Sequence, residues 1–146
     1  MIKALIVDQA DDDSVSASIR EIEASQLPDD GEVDIAVEYS TINYKDGLCL
    51  NGLGRLVRNY PHVPGIDLAG TVISSRADGI AAGDRVTMNG FRSGEIRWGG
   101  YATRANGKAE WIVKLPNGMS TRHSQMLGTA GFTAMQSILR LSLIHI

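Results

Sequence analysis

The residues best suited to chemistry stand in a short polar run, Asn43-Tyr44-Lys45-Asp46, after the most regular apolar alternation in the chain. A tyrosine hydroxyl can donate a hydrogen bond or a proton to a reacting group, so Tyr44 is the first candidate for catalysis. The alternative is that Tyr44 only packs and hydrogen-bonds at a sheet edge. Asn43 is equally suited to capping a helix and to contacting a ligand, and Asp46 fits the first turn of that helix.

The glycine pattern that binds a dinucleotide is missing from the sequence. That pattern, G-x-G-x-x-G, lets the backbone of a strand-to-helix turn approach a pyrophosphate. Gly52 and Gly54 have the first spacing, but Val57 occupies the third position. Gly128 and Gly131 have two residues between them and lie where a helix is predicted to start. The main part of a nucleotide site is therefore not expected in this chain.

Phosphate-binding and pocket-lining residues are predicted before and within a glycine-rich segment at 90–100. Arg58 and Arg92, like Arg55, could bind the phosphates of a substrate because a guanidinium matches phosphate geometry. Isolated surface arginines are common, however. Trp98 either lines a pocket or anchors the segment at 90–100.

Composition restricts the class of protein. The chain has 146 residues, which predicts one domain or one domain plus a fragment. Its net charge of −3 argues against a nucleic-acid-binding role. The single cysteine, Cys49, excludes an internal disulfide and a multi-cysteine zinc site. No apolar run is long enough to span a membrane and no signal peptide is recognisable, so we expect a cytoplasmic protein.

The elements that must position these residues follow from hydrophobic periodicity. Short apolar or alternating runs bounded by turn residues predict strands, and apolar residues near helical spacing at 120–141 predict a closing helix. A short helix is expected at 44–50 and a helical turn at 56–59. The predicted strands cover 2–7, 15–19, 33–37, 66–74, 85–88, 101–105 and 111–115. This pattern indicates a mainly β (α+β) fold, a small barrel whose chain leaves along a helix.

Five segments together resemble the medium-chain dehydrogenase/reductase superfamily, and in particular its zinc-free branch of acrylyl-CoA reductases and quinone oxidoreductases. They occur in order and at family-like spacing, and the resemblance runs from Met1 to about Leu141. The segments are 39–46 (YSTINYKD), 64–72 (PGIDLAGTV), 83–86 (GDRV), 98–102 (WGGYA) and 127–134 (LGTAGFTA).

The resemblance implies a GroES-like, partly open β-barrel at 1–119 as the substrate domain. Residues 120–146 would be the linking helix and the start of a Rossmann domain that this chain otherwise lacks. The last residues, 142–146, do not resemble the family's continuation. We therefore interpret them as an abrupt end or an out-of-frame tail. The parent protein is expected to be a homodimer.

The resemblance also implies the chemistry. The segments that match the zinc ligands of metal-dependent relatives contain no cysteine or histidine, so no catalytic zinc is expected. NADPH would reduce the C=C bond of acryloyl-CoA, a similar activated alkene, or a quinone. Tyr44 would be catalytic, and Asn43, Tyr44 and Thr129 would contact the cofactor. Arg58, Arg92 and Trp98 would bind the substrate.

A second hypothesis is that the chain acts without catalysis. It would then be a stand-alone GroES-like binding module or a nonfunctional fragment. In either case we expect this chain alone to be inactive, because positioning catalysis requires the partner that holds the hydride donor. We also expect the apolar face of the helix at 120–141 to be exposed.

Overall fold

The computed structural model describes residues 1–29 and 31–142. Asp30 lies outside these residues, and so does the predicted tail at 142–146 apart from Ser142. The elements in chain order are β1 (Ile2–Gln9), β2 (Val15–Ile22), β3 (Val33–Tyr39), α1 (Tyr44–Leu50), β4 (Asp67–Ser75), β5 (Arg85–Asn89), β6 (Arg104–Gly107), β7 (Val113–Lys114) and α2 (Thr121–Ser142).

The strands form two antiparallel sheets. β1 and β2 pair with each other, and the remaining strands form a five-stranded sheet in the order β6-β3-β4-β5-β7. Within the described residues the larger sheet ends at β6 and β7 and does not close into a complete barrel. The prediction of a mainly β fold with a partly open barrel is therefore confirmed.

Alternating side chains build the main core between these strands. Val33 and Ile35 of β3 are fully buried and pack with Leu68 of β4 and with Val86 and Met88 of β5. The alternation fits a sheet with one covered face, because successive side chains point to opposite faces. β2 differs from its prediction as a half-buried strand, since only Ile22 is buried and Ile19 is 71% exposed.

β1 is held by distant parts of the chain. Leu5 N–H donates to Tyr101 O at 2.8 Å, and Thr103 N–H donates to Lys3 O at 2.9 Å. Val7 and His62 exchange backbone hydrogen bonds of 2.8 and 2.9 Å. A second core cluster forms around these contacts, with Ile2, Ala4, Ile6, Ile22, Val63 and Ala102.

α2 docks on the larger sheet by its first turn. Thr121 Oγ1 donates to Glu38 Oε2 at 2.7 Å, and Thr71 Oγ1 donates to the other oxygen of that carboxylate at 2.6 Å. These hydrogen bonds lower the pKa of Glu38 because they favour its charged form. Many apolar side chains farther along α2 are exposed, as expected. No described helix combines the length and the apolar character needed to cross a membrane.

Three local predictions were wrong. Residues 56–59 form no helical turn, because this stretch leads irregularly toward Pro61 and β4. The strand predicted at 101–105 begins only at Arg104, since Ala102 makes an isolated bridge to Ala4. The strand predicted at 111–115 is reduced to two residues, because Trp111 closes a 3₁₀ turn.

Candidate active site

α1 places its N-terminus beside the start of β4 through one buried carboxylate. Asp46 is fully buried, and its Oδ2 accepts a hydrogen bond of 2.8 Å from Asn43 N–H. Its Oδ1 accepts from the backbone N–H groups of Gly65 at 3.2 Å and Ile66 at 3.0 Å. The predicted placement of Asp46 in the first turn is confirmed. The same side chain also fixes α1 to the segment that leads into β4.

A second buried carboxylate, Asp67, joins three elements at one point. Its Oδ2 accepts from Asn43 Nδ2 at 3.0 Å and from Thr129 N–H at 2.8 Å. Its Oδ1 accepts from Thr129 Oγ1 at 2.5 Å. Each of these partners can donate, so the two oxygens of Asp67 accept from an amide, a backbone N–H and a hydroxyl.

The hydrogen bond from Thr129 N–H depends on a break in α2. Gly128 has φ 50° and ψ −161°, a conformation open almost only to glycine. A Cβ at this position would lie 2.9 Å from Thr41 Cγ2 and 3.0 Å from Asp67 Oδ2. The break frees the N–H of Thr129 from the helical ladder and turns it toward Asp67. The part of α2 after Gly128 is its second segment, and Asp67, which lies on β4, caps the N-terminus of that segment.

The candidate residues meet around a cleft of about 410 Å³. Four of the residues that the sequence analysis selected line it: Asn43, Tyr44, Arg92 and Thr129. They come from the N-terminus of α1, the loop after β5 and the break in α2. Tyr44 is 82% exposed, so its hydroxyl is accessible to a ligand.

Charged residues border the same cleft. Glu95 is 5% exposed and lies between two cations. Lys45 Nζ is 3.1 Å from Glu95 Oε1, and Arg92 Nε is 3.7 Å from Glu95 Oε2. Since the two cations share one carboxylate, this border carries a net positive charge.

The other two predicted substrate residues do not line the cleft. Arg58 is exposed in the irregular stretch before β4. Trp98 Nε1 donates to Pro61 O at 3.2 Å, and its ring packs on the core cluster beneath β1. The contacts of Trp98 match the loop-anchoring alternative.

Sequence reasoning assigned no role to Asp67 or Glu95. Asp67 had a usable signal in the sequence, because it opens the largely apolar strand segment LAGTVI. An acid at the start of a buried strand is expected to be buried as well and then needs hydrogen-bond partners. Glu95 had none, since an acid in a glycine-rich loop is normally solvated.

Two further side chains near the site have shifted acidities. Burial, with the Asp46 and Asp67 charges adding to it, raises the pKa of Tyr101, whose hydroxyl donates to Thr41 O at 3.1 Å. Burial also raises the pKa of Cys49 to about 11, with the Asp46 and Glu95 carboxylates adding to it. Both groups are therefore neutral at ordinary pH, and Cys49 is a buried thiol as predicted.

The described residues contain no group of three or more His, Cys, Asp or Glu side chains placed to hold a metal ion.

Comparison with known proteins agrees with this architecture. Residues 29–117 match the family model of the alcohol dehydrogenase GroES-like domain. The acrylyl-CoA reductase AcuI of Ruegeria pomeroyi is 50% identical over 142 residues, which cover 97% of this chain and 43% of the relative.

Solved structures give the same result. The yhdH oxidoreductase of Salmonella enterica in complex with NADP matches with a TM-score of 0.91 and 45% identity, covering 96% of this chain and 43% of that one. The Bacillus subtilis protein yhfP with NAD bound matches with a TM-score of 0.89 and 43% identity, covering 97% and 43%. The chain thus spans less than half the length of each of these proteins.

Proposed function

The chain belongs to the alcohol dehydrogenase GroES-like domain family, and from that membership we propose that it forms the substrate side of an NADPH-dependent reductase. The reaction is reduction of the C=C bond of acryloyl-CoA or a similar activated alkene. Residues 1–119 form the substrate domain in this proposal, and 120–146 begin the nucleotide-binding domain. The close relative named for acrylyl-CoA reduction supports this choice of substrate class.

The observation that carries the proposal is the convergence of Asn43, Tyr44, Arg92 and Thr129 on one cleft. These residues come from three parts of the fold that are far apart in sequence, with Asn43 and Tyr44 adjacent at the start of α1. A cleft of about 410 Å³ is within the size range of small-molecule sites. We assign roles to these four residues and none to Arg58 and Trp98, because neither of those lines the cleft.

The residues present fit the nicotinamide end of the cofactor. The amide of Asn43 has two N–H donors and a carbonyl acceptor, and Asp67 takes only one N–H. The amide oxygen of Asn43 accepts from the backbone N–H of Asp46 in the capping box, so its second N–H is left to donate to the carbonyl oxygen of a carboxamide. Gly90 lines the same cleft, and a Cβ at this position would meet no atom within 4 Å. The cleft therefore has free space beside Gly90 for a ligand.

The bound cofactor supplies a hydride to the β-carbon of the alkene. As that bond forms, the electron pair of the C=C bond moves toward the α-carbon and the thioester oxygen. Lys45, at the positive border of the cleft, stabilises this negative charge. Tyr44 donates a proton to the α-carbon, and its exposed hydroxyl recovers a proton from solvent. One hydride and one proton are thus added.

Arg92 has a different role at the border of the cleft. Its guanidinium is half exposed even while paired with Glu95, so it can bind a phosphate of the CoA moiety. We propose that the reaction is independent of zinc, because the thioester carbonyl already withdraws electrons from the C=C bond.

The test joins this chain to the remaining segment of the Ruegeria pomeroyi reductase and follows the loss of NADPH absorbance on addition of acryloyl-CoA. We expect turnover that persists in the presence of a metal chelator. Tyr44→Phe should lower kcat by about 10²-fold, the typical contribution of a general acid. Tyr39→Phe is the matched control, since Tyr39 lies on β3 and does not line the cleft.

Several outcomes would contradict the proposal. Absence of turnover with acryloyl-CoA and with other enoyl thioesters would exclude the substrate class. Turnover with quinones alone would move the protein to the quinone oxidoreductase class. An unchanged kcat in Tyr44→Phe would remove Tyr44 as the acid.

A further inference from the structure

A second cavity adjoins the cleft and has a different chemical character. It measures about 450 Å³ and lies between α2, β7 and the loop after β5. We call it the aromatic chamber, and its apolar walls are Phe91, Trp111, Val113 and Phe132. Gly90, Phe91 and Thr129 line both the aromatic chamber and the cleft, so the two spaces are contiguous.

The walls of the aromatic chamber are apolar side chains that the core does not cover. Phe91 is 52% exposed, Val113 60% and Phe132 61%. A single exposed apolar residue is ordinary, but three on one concave surface mark a place where something binds. A concave pocket of this volume fits a small molecule.

The loop that carries Phe91 is held in an unfavourable conformation. Gly90, Phe91 and Arg92 have φ values of 85°, 52° and 62°, which are left-handed at three consecutive residues. Phe91 and Arg92 are not glycines, so the left-handed region is unfavourable for both. The loop nevertheless keeps the Phe91 ring stacked on Trp111, with centroids 5.6 Å apart and planes at 15°.

Trp111 is fixed by cations as well as by this stacking. The guanidinium carbon of Arg97 lies 5.1 Å from the centre of the Trp111 ring, and Lys108 Nζ lies 5.3 Å from it. Cation–π contacts at these distances are attractive. The aromatic wall is therefore a rigid, preformed surface.

We propose that the aromatic chamber binds the apolar substituent of an activated alkene whose reacting carbons lie in the cleft, and that Phe91 and Trp111 select for a flat or conjugated substituent. The proposal deepens the proposed function and rests on it for the reaction. Acryloyl has no substituent on its β-carbon and leaves the aromatic chamber empty. This chain is therefore suited to larger alkenes, such as a β-phenyl enone or enoyl thioester.

The first experiment needs only this chain. Binding of 4-phenyl-2-butanone, the product of reducing the C=C bond of a β-phenyl enone, is measured by calorimetry against binding of 2-butanone. We expect the phenyl compound to bind at least tenfold more tightly, because its ring adds apolar contact with the walls of the aromatic chamber. Equal affinities, or no binding of the phenyl compound, would overturn the proposal.

Substitutions that fill the aromatic chamber with a side chain test whether 4-phenyl-2-butanone binds there. Thr133→Phe on α2 and Val113→Phe on β7 each place a ring in the aromatic chamber. Each change should lower the affinity for 4-phenyl-2-butanone by tenfold or more. Ile138→Phe adds the same ring elsewhere on α2, at an exposed residue outside the aromatic chamber, and should leave the affinity unchanged. Circular dichroism identifies any variant that fails to fold, and the other filling variant then decides. Unchanged affinity in a folded filling variant would contradict the assignment.

The joined two-domain protein separates this inference from the proposed function. In it, Val113→Phe should lower kcat/KM for cinnamoyl-CoA by at least tenfold more than for acryloyl-CoA. If neither thioester is reduced but the filling variants still block 4-phenyl-2-butanone, the proposed function fails and the aromatic chamber stands as a binding site. If both thioesters are reduced and the filling variants lower the two kcat/KM values equally, the proposed function stands and the assignment of the aromatic chamber as a substituent-binding site is wrong.

Discussion

Asp67 organises the candidate site, although it does not line the cleft. It is fully buried, and its hydrogen bonds to Asn43 and Thr129 orient two side chains that do line the cleft. Because the Thr129 hydroxyl donates its proton to Asp67, it can only accept from a ligand. Asp67 is therefore a positioning residue.

Replacement of Asp67 by asparagine should lower stability and loosen the site. The shape is kept, but the charge is lost, and one NH₂ group would face the hydroxyl or the backbone N–H of Thr129. We expect the free energy of unfolding to fall by about 2 kcal/mol, the scale of a charge-assisted hydrogen bond. Urea denaturation measures this change. Asp78→Asn, at an exposed position, is the control, and an equal effect of the two changes would contradict the role.

Cys49 should be unreactive in the folded protein. Burial raises the pKa of its thiol to about 11 from an ordinary 9.0, so almost no thiolate is present at pH 8. We expect slow modification by a disulfide reagent at pH 8 and rapid modification in urea. Fast native modification would contradict the burial.

The same shift in the pKa of Cys49 predicts a dependence of stability on pH. Above pH 9 the unfolded thiol loses its proton while the folded thiol keeps it, so the unfolded state binds fewer protons. The stability contribution is therefore complete below pH 9 and is lost as pH rises toward about 11. Cys49→Ala should lack this component.

Residue types and the family resemblance together selected residues that line the cleft. Asn43 and Tyr44 came from a polar run and Thr129 from a glycine-flanked segment that resembles the family's, and their roles stay predictions. Trp98 and Arg58 were placed with the substrate because aromatic and cationic side chains suit ligands. Whether such a side chain faces a cleft or a core depends on the path of its loop, which periodicity does not specify.

At the scale of elements, the break in α2 connects the helix to the sheet. One uninterrupted helix would keep the N–H of Thr129 in its own ladder and away from Asp67. The break at Gly128 directs that N–H sideways, so the second segment starts at the cleft.

Gly128→Ala should therefore be strongly destabilising. Alanine disfavours the φ of 50° and ψ of −161°, and its Cβ would crowd Thr41 Cγ2 at 2.9 Å. We expect a loss of about 3 kcal/mol in unfolding free energy, measured by denaturant titration. Gly47→Ala in α1 is the matched control, since a Cβ there meets nothing within 4 Å. It should be neutral or stabilising by up to about 1 kcal/mol.

Elements with a regular pattern were predictable. α1 begins and ends as its cap and glycines indicated, and β3 and β5 follow their apolar alternation. The wrong predictions concern strands whose bounds depend on pairing with strands distant in sequence. β6 is placed by its register with β3, and β7 pairs with β5 at only two residues, after the 3₁₀ turn that Trp111 closes. Local sequence does not contain that information.

At the scale of the whole molecule, the exposed face of α2 determines how the chain behaves in solution. Several large apolar side chains on this helix are more than half exposed; these are Met126, Leu127, Phe132, Met135, Ile138, Leu139 and Leu141. A continuous apolar surface of this kind favours association.

The isolated chain should self-associate in a concentration-dependent way. Sedimentation velocity at increasing concentration is expected to show species larger than the monomer. The double variant Met135→Lys and Ile138→Lys adds charges one helical turn apart on the exposed face and should shift the distribution toward monomer. A monodisperse monomer of the unaltered chain at all concentrations would refute the prediction.

The long-range anchoring of β1 has a consequence for synthesis on the ribosome. β1 and β2 can pair as soon as residue 22 has emerged. On the other edge of β1, Val7 can pair with His62 roughly 40 residues later, but Lys3 and Leu5 wait for Thr103 and Tyr101, roughly 80 residues later. At translation rates of about 5–20 residues/s, that edge is completed only after about 4–16 s. During this interval the nascent chain presents a partly open apolar strand edge to its surroundings, a site at which a holding chaperone could bind.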